Sequence, residues 1–190
     1  GIDGVIENTD FSVDECIDLL SGPLDEIQPY FEKITGKFTL IFMNEERFIV
    51  YKNRDGIKPL SIGRLGSTMV ASSETCAIET IGGNIIREIQ PGELFVQTKT
   101  HSTSYYLTNA IESTVNLDAF EFIYTARPDS ILDGVSVYQA RYRLGEALWQ
   151  ENPIQDAVVI GAPDSGIIAS LGYANASGLP YQEGFVRNRY

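Results

Sequence analysis

The sequence predicts an α+β region followed by an α/β region, and three observations carry that prediction. Helical periodicity over residues 12–34 gives way to short strand-like runs between residues 37 and 98. A polar stretch with no long periodic run follows at residues 100–116. Beyond it the order becomes helix, strand, loop, helix, strand, which implies a right-handed parallel crossover. Two domains are therefore expected, 1–115 with antiparallel sheets and helices, and 116–190 with the start of a parallel sheet.

The first helix is expected at residues 12–21. Ser12 and Glu15 fit a capping box, an acceptor at the N-cap with an acid three residues on. Val13, Cys16, Ile17 and Leu20 share one face, and Gly22-Pro23 ends the helix. A second short helix over 24–34 would turn Leu24, Ile27, Phe31 and Ile34 inward, with Pro29 kinking or shortening it. "KFTLIFMN", "RFIVYKN", "PLSIGRL", "TMVASSE" and "GELFVQT" are short strands separated by turn residues. "TCAIETIGG", between the last two, reads as one or two helical turns.

In the second region "FEFIYTARPDS" reads as extended, and "SVYQARYRLGEALWQ" as a helix with Val137, Ala140, Leu144, Ala147 and Leu148 as its apolar stripe. Asp156 to Ala162 form the next strand, whose Val158, Val159 and Ile160 suit a strand buried on both faces. The turn Gly161–Gly166 leads into a helix with Ile167, Ile168, Leu171 and Ala174 at helical spacing. Gly178 fits its C-cap and Pro180 prevents its continuation. "LPYQEGFV" is a further strand.

Composition excludes several functions. The net charge of −12 argues against a nucleic-acid duplex or an anionic membrane as partner, since both need dense Lys and Arg. No apolar run approaches the roughly 20 residues of a membrane span, and no signal peptide opens the chain. Cys16 and Cys76 have no metal-binding spacing, and the single histidine, His101, rules out a histidine-rich metal site in this chain. A reduced, cytoplasmic protein is the expectation. Gly1 in place of Met, and an end at "GFVRNRY" with no closing signal, suggest an interior piece of a longer polypeptide.

The loop "APDSG" has two readings on its own. Asp164 or Ser165 could simply cap the following helix. The same helix amides could instead hold a diphosphate, with a hydroxyl near a metal ion. Neighbouring words favour the second reading. "FEFIYTARPDS", "SVYQARYRLGE", "GAPDSG", "GYANASGLPY" and "VRNRY" follow one another at close spacing. Upstream stand "NRDGIKPLSIGRLG", "VASSETCAIETIG" and "IREIQPGE". Together, over nearly the whole chain, these segments strongly resemble the amidophosphoribosyltransferase family.

The resemblance implies the C-terminal part of an N-terminal-nucleophile glutaminase domain joined to the N-terminal part of a type I phosphoribosyltransferase domain. It implies that ammonia from glutamine displaces pyrophosphate from phosphoribosyl pyrophosphate (PRPP), giving 5-phosphoribosylamine for purine synthesis. By position, Pro163, Asp164, Ser165 and Gly166 form the pyrophosphate loop, with Ser165 near Mg²⁺. Arg187 stands where the family often has Lys, at the start of a loop that closes over the sugar phosphate. Asp10, in "NTDFSV", matches the acid that holds the glutamine amino group, and a solvated loop acid is the alternative reading. Arg54 and Asp55 would fix a hairpin by charge-assisted hydrogen bonds, and Arg127 and Asp129 match an inter-domain segment where an ion pair is expected. Self-association is also implied.

The departures from the family's pattern are specific. The family's catalytic cysteine is N-terminal, and neither Cys16 nor Cys76 can supply a terminal amine. Asp14-Glu15, Asp25-Glu26 and Glu45-Glu46 do not fit the family's strand-end acidic pair for PRPP. The chain is therefore expected to be inactive alone, with no catalytic residue of its own. Asp118 replaces a cysteine that ligates iron in some members, so no iron–sulfur cluster is expected. The alternative function is a non-catalytic pyrophosphate- or PRPP-binding module derived from this family. A sugar-phosphate aminotransferase fits less well, because "ARPDS" and "GLPY" belong to the phosphoribosyl half.

Overall fold

Two mainly apolar runs, residues 38–43 and 48–51, on either side of the polar turn Asn44–Glu46 build a β-hairpin that anchors the first unit. The computed structural model describes residues 1–6, 12–107 and 116–188. The chain divides into two units, Gly1–Asp118 and Ala119–Tyr190. In the first, β2 (Gly36–Met43) and β3 (Arg47–Lys52) pair so that Ile41 faces Val50. β1 (Ile2–Ile6) joins β2, β7 (Glu93–Thr98) joins β3, and β8 (Ser102–Tyr106) joins β7. All four pairings of this five-stranded sheet are antiparallel.

α1 (Val13–Ser21) and α2 (Leu24–Phe31) cover one face of that sheet. Cys16, Leu20, Ile27 and Phe31 meet Phe38, Leu40, Ile49, Tyr51, Leu94 and Val96, and Phe31 lies 4.4 Å from Tyr51 between ring centroids. The Ser12 hydroxyl accepts the Glu15 amide at 3.4 Å, the half of the capping box that starts α1. Only Cys16 and Leu20 of the expected apolar face are buried, while Val13 and Ile17 are exposed. A helix of 9 residues laid flat on a sheet presents one i, i+4 ridge, and the adjacent ridge is left to solvent. Pro29 lies within α2, which ends two residues later at Phe31.

The opposite face packs on a three-stranded sheet. Its order is β5 (Thr68–Ser72), β4 (Ser61–Leu65), β6 (Asn84–Glu88). Val50 and Phe95 meet Leu60, Ile62 and Ile89 between the sheets. α3 (Thr75–Thr80) lies against this smaller sheet, where a Cβ on Gly63 would come within 2.7 Å of Ile78. β1, β6 and β8 were not among the expected strands.

The second unit departs further from expectation. Residues 121–125, in the stretch expected to be extended, form a wide helical turn, with the Ala126 amide donating to Glu121 O at 3.0 Å. β9 (Ile131–Leu132) and β10 (Val135–Ser136) make a small hairpin before α4 (Val137–Glu151), which packs on α5 (Gly166–Ser177). Of the expected stripe Val137 is buried and Ala140 half-buried, but Leu144, Ala147 and Leu148 are exposed, and the buried line along α4 runs Val137, Arg141, Gly145. Backbone contact explains this. A Cβ on Gly145 would sit 1.8 Å from Ala169 O, and one on Gly172 would sit 2.0 Å from Tyr142 O. At each contact a glycine of one helix meets the backbone of the other.

The expected strand Asp156–Ala162 is reduced to an extended run with one parallel bridge, Val159 to Tyr181. Val158 and Ile160 are 47% and 44% exposed, so the run is not buried on both faces within this chain. Double burial needs a layer on each side, and here α4 and α5 spend their apolar contact on each other.

Candidate functional site

The loop between Val159 and α5 is built by three local choices. Val159 donates to Pro180 O at 2.9 Å and accepts from the Gln182 amide at 3.0 Å, which fixes the strand end. Gly161 then lets the chain fold onto the first turn of α5, since a Cβ there would lie 2.5 Å from Ser170 Oγ and 2.9 Å from Ile167 Cα. The turn Pro163–Ser165 closes with the Gly166 amide donating to Ala162 O at 3.0 Å. The Pro163–Asp164 peptide bond is cis. At the far end, Gly178 caps α5 in the left-handed region, φ 70°, with its amide on Ala174 O.

Neither Asp164 nor Ser165 caps α5. Ser165 takes helical backbone angles, φ −69° and ψ −30°, and its side chain makes no capping bond. A capping side chain needs an extended backbone to reach back to the second or third amide, as Ser12 does on α1 with ψ 131°. Among the described residues, the amides of Asp164 and Ser165 and the Ser165 hydroxyl have no hydrogen-bond partner. They stand at the N-terminus of a 12-residue helix, where the backbone dipoles leave partial positive charge.

Arg187 reaches this loop from the following segment. Its Nη1 donates to Asp164 Oδ2 at 2.8 Å. Gly184 lets that segment pass Ile160, whose side chain would lie 2.8 Å from a Cβ there. The structure thus gathers Pro163, Asp164, Ser165, Gly166 and Arg187, the residues expected of a pyrophosphate loop, at one point. The cluster offers two amides, a hydroxyl and a guanidinium to an anion, and carboxylate and hydroxyl oxygens to a hard cation. Among the described residues no group of three His, Cys, Asp or Glu could hold a metal by itself.

The remaining expected residues lie elsewhere. Asp10 lies outside the described residues. Arg54 and Asp55 are exposed on a turn, and the buried Asn53 side chain holds that turn by donating to Gly36 O and to Asp55 Oδ2. Arg127 grips Asp129 through two parallel bonds of 3.1 and 2.7 Å, the expected ion pair. Cys16 and Cys76 are buried. Burial pushes the Cys16 thiol up to about 11, so it stays protonated and unreactive at neutral pH.

Among the described residues four charged side chains are buried, Lys52, Glu93, Glu121 and Arg141, and sequence reasoning missed them. Arg141 on α4 donates to Phe122 O at 2.6 Å and Ala126 O at 2.7 Å, which pins the wide turn before it. Those carbonyls, four residues apart, come within reach of one guanidinium only from a helical turn, because an extended chain would separate them by roughly 13 Å. This overrides the strand preference of "FEFIY". Glu93 is fully buried and takes Arg87 through bonds of 2.8 and 2.5 Å, with Ser104 Oγ at 2.6 Å and the Gln90 amide at 2.8 Å. Arg141 falls four residues after the apolar Val137 and four before Gly145, and that placement was the available signal.

No family model matches the chain. Sequence relatives do. The amidophosphoribosyltransferase of Methanothermobacter thermautotrophicus is 42% identical over 159 residues, 84% of this chain and 33% of that protein. The amidophosphoribosyltransferase of Bacillus subtilis is 39% identical over 166 residues, 87% of this chain and 34% of the relative. Arabidopsis thaliana amidophosphoribosyltransferase 1, chloroplastic, is 36% identical over 195 residues, covering 98% and 34%. A solved glutamine PRPP amidotransferase from B. subtilis, complexed with ADP and GMP, superposes with a TM-score of 0.86 at 35% identity, covering 98% of this chain and 42% of its own. The chain spans about a third of the length of the curated relatives it matches. Over that third, in sequence and in fold, the chain is a homologue of the amidophosphoribosyltransferases.

Proposed function

We propose that this chain forms part of an amidophosphoribosyltransferase, in which glutamine-derived ammonia displaces pyrophosphate from PRPP to give 5-phosphoribosylamine, a step of purine synthesis. In this reading Gly1–Asp118 belongs to the N-terminal-nucleophile glutaminase domain and Ala119–Tyr190 opens the type I phosphoribosyltransferase domain. One observation carries it: the loop Pro163–Gly166 presents free amides and a free hydroxyl at the start of α5, with Arg187 alongside.

The loop's own groups perform defined tasks. The Asp164 and Ser165 amides donate to diphosphate oxygens without reorganising, since they have no bond to break. Arg187 adds the charge-assisted contact. Mg²⁺, when bound with the diphosphate, would neutralise leaving-group charge. Ser165 Oγ and the Asp164 carboxylate are hard oxygen donors that suit it as supplementary ligands. With so few protein donors, most of its coordination must come from ligand and water.

Ser165→Ala tests this reading. Loss of a hydrogen bond to a charged ligand is worth roughly 1.5–3 kcal/mol, so Mg²⁺-dependent PRPP affinity should fall about tenfold or more in calorimetric titration. Stability should hardly change, because Ser165 makes no capping bond to lose. A mutant that melts earlier yet binds as before would mean that the loop only joins strand to helix.

A further inference from the structure

The diphosphate loop carries its own anion. The Asp164 carboxylate holds the Arg187 guanidinium at 2.8 Å, and the two side chains are 54% and 65% exposed. Among the described residues this is the one partner Arg187 has. A bare diphosphate approaching the free amides must take Arg187 from Asp164 and then lie beside the displaced carboxylate. A metal-bound diphosphate brings less net negative charge and gives the carboxylate a cation to face.

We propose that Asp164 is a specificity-determining residue, an internal competitor for Arg187 that makes the loop select metal-bound over bare diphosphate. The proposal rests on reading this loop as a diphosphate site. It differs from that reading in consequence, since a mere binding role for Asp164 predicts weaker binding on its removal. Competition predicts tighter binding, and only without metal.

Inorganic pyrophosphate is the probe, titrated calorimetrically into the chain with Mg²⁺ or with EDTA. In EDTA, Asp164→Asn should bind pyrophosphate about twofold to fivefold more tightly than the unmodified chain, the range expected from freeing an exposed ion pair. With Mg²⁺ the gain should vanish or reverse, because the lost carboxylate then faces the metal, so the preference for the metal complex shrinks. In an Arg187→Gln background the EDTA gain should disappear. Asp164→Ser should repeat the pattern, and melting curves of each variant establish that the loop is folded. An equal gain with and without Mg²⁺ overturns the proposal, as does a gain that survives Arg187→Gln. Binding that is intact and indifferent to Asp164 overturns the proposal alone. No pyrophosphate binding by any variant under either condition overturns the loop reading and the proposal together.

Discussion

Gly145→Ala sets two effects of opposite sign against each other. In an exposed helix the change would stabilise by about 1 kcal/mol, the propensity difference between alanine and glycine. In α4 the new methyl would lie 1.8 Å from Ala169 O and 2.8 Å from Tyr173 N. Both are backbone atoms, so no rotamer change relieves the clash. A real Cβ stays beyond 3.0 Å, so α4 and α5 must part by about 1.2 Å at this point. Overpacking of this kind costs about 1–3 kcal/mol, and the rigid backbone on both sides favours the upper end. The net expectation is a loss of about 2 kcal/mol and a fall in melting temperature of about 10 °C for a unit of this size. Trp149 is the single tryptophan of the chain and packs edge-on against Tyr173, with centroids 5.6 Å apart. Its fluorescence therefore follows the α4–α5 contact alone. Gly172→Ala should act alike, and the double mutant should cost less than the two losses added, because one separation accommodates both methyls. Ala147→Gly, at an exposed position of α4, calibrates propensity at about 1 kcal/mol of destabilisation. A Gly145→Ala protein that melts at or above the original temperature would refute the close-contact reasoning.

Three further substitutions test the buried charges at Glu93 and Arg141. Burial of Glu93 would by itself raise its carboxyl, but bonds from Arg87, Ser104 and the Gln90 amide outweigh that and hold it below the usual carboxylate range. Its folded pKa is thus depressed, so its contribution is present above the unfolded value of about 4.3 and is lost as pH falls through the lower folded value. Glu93→Gln should flatten that acid limb in urea titrations, and Arg87→Met, which leaves a buried carboxylate unpaired, should cost about 3 kcal/mol at pH 7. An acid limb that Glu93→Gln leaves unchanged would count against this assignment. Arg141→Met removes two short bonds to backbone carbonyls and should destabilise the second unit by about 2–4 kcal/mol in Trp149-monitored melts. A loss below about 0.5 kcal/mol would mean that the wide turn holds itself.

Legibility in the sequence followed the physics of each element. The strands at 36–43, 47–52 and 93–98 are legible as short apolar runs because their sheet is covered on both faces, and the Ser12 cap is local chemistry. β8 was hidden because "STSYY" lies at a sheet edge, where polar and small residues are tolerated. "FEFIY" misled because a guanidinium that lies 19 residues further on decides its conformation. The stripe on α4 misled because hydrophobicity cannot register a contact made by missing side chains. At the site, the loop's position before a helix was legible, and so was Gly178. The engagement of Arg187 with Asp164, 23 residues apart, is a tertiary fact with no local signature.

The single parallel bridge at Val159 has a consequence for hydrogen exchange. Two hydrogen bonds tie the strand side of the loop, whereas the helix side is locked to α4 by backbone contact. Local opening on the strand side therefore costs little, and the amides of Val159 and Gln182 belong with the early-exchanging class, while those at the middle of α5 wait for larger excursions. The loop is thus hinged on one side and fixed on the other. Gly161 and Ala162 stay with the fixed side, packed on Ile167 and held by the Gly166 amide, so opening at Val159 can spare the helix end that presents the amides.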